Sequence, residues 1–103
     1  MIAVRMSNLS KLYFEALQIS GNNYLIWAVD AKMYLVAEGN GDAIKEGNTT
    51  SDQQKAKVFI FLHHHINDAL KNEYLTLKDA LVLWNKLKER YLFHLKLKRM
   101  KRK

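Results

Sequence analysis

The chain has 103 residues, 49% of them hydrophobic and 26% charged, with no proline, no cysteine and a net charge of +7. That balance excludes a disordered polymer and gives one foldable domain with a modest core. The missing cysteine excludes disulfides, thiolate nucleophiles and every cysteine-containing zinc site. No apolar run reaches the roughly 20 residues of a membrane span, and the opening MIAVRMSNLS is too short and too weakly apolar for a secretory signal. The expectation is a cytoplasmic protein without membrane association.

The charge is local. Residues 86–103 hold nine Lys or Arg and one Glu, a balance of +8, so the remainder is close to neutral at −1. A neutral body with a cationic end has different partners from a uniformly basic surface.

Along the chain, LSKLYFEALQISGNN reads as a short strand-like or irregular lead-in ending in the turn signal Gly21-Asn22-Asn23. A helix over about 23–38 follows. Tyr24, Trp27, Ala31 and Leu35 form one apolar stripe and Ile26, Val29, Met33 and Val36 an adjacent one, a face broad enough to require burial. Asn22 or Asn23 is placed to cap its start, and Gly39 suits the left-handed position after its end.

After the loop GNGDAIKEGNTT, Ser51 opens a capping-box spacing with Gln54, starting a second helix over about 51–71. Its inward face is expected at Ala56, Phe59, His63, Ile66 and Leu70, flanked by Val58, Leu62 and Ala69. The third helix, over about 78–98, has a Thr76/Asp79 capping spacing and an inward stripe of Ala80, Trp84, Leu87, Tyr91 and Leu95, with Leu83 beside it. The expected fold is therefore all-α, a small bundle of three main helices. Its structural core is Tyr24, Trp27, Ala31, Leu35, Phe59, Leu83, Trp84, Leu87 and Tyr91. Residues 1–95 form the domain and 96–103 a basic tail.

Catalytic and cofactor patterns are missing from the sequence. His63, His64 and His65 are consecutive, and on a helix they diverge by about 100° each, so they do not converge on one metal ion. GNGDAIKEG lacks the lysine and hydroxyl residue of a phosphate loop, the serines have no partner histidine, and the carboxylates are scattered singly. No enzyme, metal, cofactor or small-molecule substrate is expected. Six basic residues at the end, Lys96, Lys98, Arg99, Lys101, Arg102 and Lys103, could contact RNA or DNA phosphates without reading sequence. The same cluster reads equally as a nuclear-targeting signal or as a helix end whose cations complement the macrodipole. Apolar Leu92, Phe93, Leu95 and Leu97 on the projecting last helix are the expected interface, for a homo-oligomer or another protein partner.

Two blocks, LQISGNNYLIWAVDAKMYLVAEG and KAKVFIFLHHHINDALKNEYLTLKDALVLWNKLKERY, resemble the N-terminal part of plant copia-type LTR retrotransposon Gag polyproteins. The similarity spans about residues 7–91. It rests on Leu17, Gly21, Asn23-Tyr24, Trp27, Met33 and Leu35, then Lys55-Ala56, Ile66 to Leu70, Ala80, Leu83-Trp84, Leu87 and Arg90-Tyr91. The resemblance implies a non-catalytic, capsid-like helical domain that self-associates around element RNA. In that pattern further helices and a zinc knuckle follow the KERY-like stretch. Here LFHLKLKRMKRK follows instead, so the expectation is a truncated Gag fragment acting as an interaction module.

Overall fold

The computed structural model describes residues 15–101, and the side chains of residues 15–93. It is an all-α assembly: α1 (Tyr24–Ala37), a 3-10 turn (Gly41–Ile44), α2 (Asp52–His64), the short α3 (Asp68–Glu73) and the long α4 (Ala80–Lys101). Among the described residues the extended backbone amounts to a single parallel bridge, Leu17 with Ile66.

That bridge interrupts the single helix expected over 51–71. The helix stops at His64, because residues 65–67 turn outward to pair with the lead-in. Leu17 N–H donates to the His65 carbonyl and Asn67 N–H to the Leu17 carbonyl, both at 2.8 Å. Asn67 then restarts the helix as an N-cap, its side chain accepting from Ala69 N–H at 2.8 Å. The inward face also differs from the expected one. Val58, Leu62, Ile66 and Leu70 are buried, whereas Ala56 and Ala69 are exposed and Phe59 and His63 only half-buried.

The caps follow the sequence in outline and differ in detail. Ser51 accepts from Gln54 N–H at 3.1 Å, while the Gln54 amide donates to Asn40 Oδ1 instead of closing the box. Asp79 rather than Thr76 caps α4, accepting from Leu81 and Val82 N–H at 2.8 and 3.1 Å. At the end of α1, Gly39 has φ +78°. Asn40 N–H reaches back to the Leu35 carbonyl and Gly39 N–H to that of Val36, the paired bonds of a Schellman motif.

The core is one cluster drawn from every element: Leu17 from the lead-in, Tyr24, Trp27, Ala31 and Leu35 from α1, Ala43 and Ile44 from the turn, Val58, Leu62, Ile66 and Leu70 from the middle, and Ala80, Leu83, Leu87 and Tyr91 from α4. Of the expected core, Phe59 and Trp84 sit at its edge, partly buried. Aromatic rings join α1 to α4. Tyr24 lies 5.6 Å from Tyr91 and Trp27 6.0 Å from Trp84, centroid to centroid.

Candidate interaction surface

The lead-in is held by groups that the sequence assigns to other tasks, Asn23 to capping and Trp27 and Tyr91 to packing. Asn23, unused as a cap, accepts from Gln18 N–H at 2.9 Å and donates Nδ2–H to the Ala16 carbonyl at 3.0 Å. Trp27 donates Nε1–H to the His65 carbonyl at 2.7 Å, and the Tyr91 hydroxyl donates to the Ile19 carbonyl at 2.9 Å. Asn23 and Tyr91 thereby hold the lead-in directly, and Trp27 holds it at one remove, through the His65 carbonyl that also accepts from Leu17 N–H. Gly21, with φ +76°, lies under the Tyr91 ring, where a Cβ would collide with it. Burial raises the hydroxyl pKa of both Tyr24 and Tyr91 above the ordinary tyrosine value.

The inward half of α1 is used up in this way, and its second apolar stripe is left outside. Ile26 is 65% exposed, Val29 56%, Met33 66% and Val36 60%, with Leu25 beside them at 52%. The sequence reading required this face to be buried; within the described residues nothing covers it. A helix apolar on two sides is ordinarily covered on both, and an exposed contiguous apolar patch commonly marks an interaction site.

The expected interface on the last helix is only partly described. Leu92 is half-buried and Phe93 is 63% exposed. Both line an open groove of about 500 Å³ with Glu46, Asn85, Lys88 and Glu89. Asn85 closes one side by donating to Glu46 Oε2 at 2.9 Å. The side chains of Leu95 and Leu97, and of Lys96, Lys98, Arg99 and Lys101, lie outside the described residues, as do Arg102 and Lys103 entirely. The α4 backbone continues as helix through Lys101, three residues past the expected end.

The histidines part as their spacing predicts. His63 stacks on Phe59, His64 is exposed, and His65 turns back so that Nδ1 donates to the Phe61 carbonyl at 2.7 Å. Among the described residues no group of three or more His, Asp or Glu converges on a point, and no helix is long and apolar enough to cross a membrane. An Arg90 cluster ties α4 to the end of α3. Arg90 pairs with Glu73, donates to the Tyr74 hydroxyl at 3.3 Å and stacks beside the Tyr91 ring. The Tyr74 contact is the main cause that lifts its pKa further.

Comparison with protein-family models, curated proteins and solved structures gives no match to this chain.

Proposed function

We propose that this chain is a non-enzymatic protein-interaction module, of the N-terminal capsid-like type found in plant copia-type retrotransposon Gag polyproteins, and that it docks through an exposed apolar helix face. The carrying observation is α1, whose inner stripe builds the core while Ile26, Val29, Met33 and Val36 stand outside it. The Gag reading draws support from where the resembling positions fall. Leu17, Tyr24, Trp27, Leu83, Leu87 and Tyr91 are buried, Gly21 passes beneath Tyr91, and Asn23 holds the lead-in. Met33, another of those positions, lies on the ridge.

Of the two candidate faces, the proposal favours the first helix over the last. Leu92 and Phe93 border a groove with four polar or charged residues, whereas the α1 ridge is apolar along its length. A second reading, sequence-independent RNA or DNA binding through Lys96 to Lys103, is favoured by the concentration of charge at one end, on a helix continuing through Lys101. The two are compatible, the body associating and the tail holding nucleic acid or directing the chain to the nucleus.

The test is affinity capture from cells with the full chain and with its Val29→Asp/Met33→Asp variant, after nuclease treatment. Proteins held by the wild type and lost by a folded variant, a second copy of the chain included, support the reading. Identical captured sets together with unchanged self-association overturn it.

A further inference from the structure

The ridge has a polarity that says what fits it. At about 100° per residue, Ile26, Val29, Met33 and Val36 occupy an arc of about 80°, and their 3-4-3 spacing is that of a coiled-coil seam. Asp30 and Lys32 then lie about 80° to either side of the midline, so one edge is acidic and the other basic. Glu15 extends the acidic edge, lining a small cleft with Asn23, Ile26, Trp27 and Asp30. Beyond the C-terminal end, beside Val36, Asp42 and Lys45 neutralise each other at 3.2 Å. The edges therefore keep a net negative side and a net positive side.

Building on the interaction-module reading, we propose that the occupant of this ridge is a second copy of the chain, paired side by side with parallel α1 helices about a two-fold axis. In that arrangement each residue of the seam meets its own counterpart, and the acidic edge of one copy faces the basic edge of the other. Asp30 faces the partner's Lys32 on both sides of the seam. The antiparallel alternative sets Asp30 and Glu15 against the same acidic edge, which like-charge repulsion disfavours. The seam spans only three turns, so the dimer is reversible and its populated fraction rises with concentration.

Because the native chain has no cysteine, single substitutions report the register directly. A disulfide requires Cα atoms within about 7 Å. Under mild oxidation, Val29→Cys and Met33→Cys are each expected to cross-link to themselves as full chains, while Lys57→Cys, on an exposed part of α2, does not. In sedimentation equilibrium, Asp30→Lys and Lys32→Asp each weaken the dimer by about tenfold, and the double exchange restores it. Circular dichroism confirms that each variant is folded.

Cross-linking only when Val29→Cys is mixed with Met33→Cys would overturn the parallel register. A wild type that stays monomeric at every concentration would overturn the proposal. In that event, capture of another protein that still depends on Val29 and Met33 would leave the interaction-module reading standing with a different occupant. Loss of both would end the two together.

Discussion

Gly21→Ala is expected to be among the most damaging single-methyl additions to this protein. The backbone at Gly21 has φ +76°, and an ideal Cβ there falls onto Cδ1 and Cε1 of Tyr91 and 3.0 Å from its Cγ. A left-handed conformation costs a non-glycine residue roughly 1–2 kcal/mol. Displacing the ring adds an overpacking term of about 1–3 kcal/mol. It also endangers the hydroxyl bond to Ile19 and the Tyr24 contact, each of order 1 kcal/mol. The combined loss is about 3 kcal/mol or more, within reach of the whole stability of a small domain at roughly 5 kcal/mol. Gly39→Ala is the control, because its φ is +78° and a Cβ there meets nothing within 4 Å. It should lose only the conformational part. Urea unfolding followed by tryptophan fluorescence measures both, and a Tm drop of about 4–8 °C per kcal/mol gives an independent reading. Equal losses at the two glycines would refute the steric argument. So would a Gly21→Ala penalty that remained undiminished in a Tyr91→Leu background.

Trp27→Phe removes one of two donors to the His65 carbonyl, which keeps Leu17 N–H, so unfolding in urea should show a loss of about 1 kcal/mol from the hydrogen bond. Amide exchange of Leu17 should accelerate with it. Asp79→Ala leaves two N–H groups of α4 without their cap and should cost about 1 kcal/mol, whereas Thr76→Ala should cost little, in the same urea assay. Burial raises the Tyr24 and Tyr91 pKa values, so the folded state holds their protons longer than the unfolded chain. Their contribution is fully present below about pH 10 and is lost as pH rises through the raised values. Thermal melts should therefore be flat from these groups at neutral pH and fall above pH 10, less steeply in Tyr91→Phe. If the tail binds nucleic acid, fluorescence anisotropy with single-stranded RNA should show log K falling with log salt at a slope up to about −4 for six contacts, vanishing when residues 96–103 are deleted.

By itself the sequence determined the all-α class, because caps and a 3.6-residue period agree in each long segment. It also determined the inner stripe of α1, since Tyr24, Trp27, Ala31 and Leu35 repeat on one side and are buried. Gly39 was legible for a local reason: a left-handed residue after a helix needs no distant partner. What only the tertiary structure decided depends on contacts far apart in the chain. The break at His64 comes from pairing with Leu17, and nothing within the helical pattern of 51–71 announces a competitor for those backbone groups. Val58 and Leu62 rather than Ala56 and Phe59 face the core, a choice set by how α2 packs on the other elements. Asn23 has the residue type of a cap but acts as a clamp, because both ends of its amide pair with the lead-in backbone. The outer stripe of α1 is the sharpest case. Periodicity gives the apolar character of a face, but whether that face is covered depends on how many elements pack around it, and the described fold supplies only enough for one.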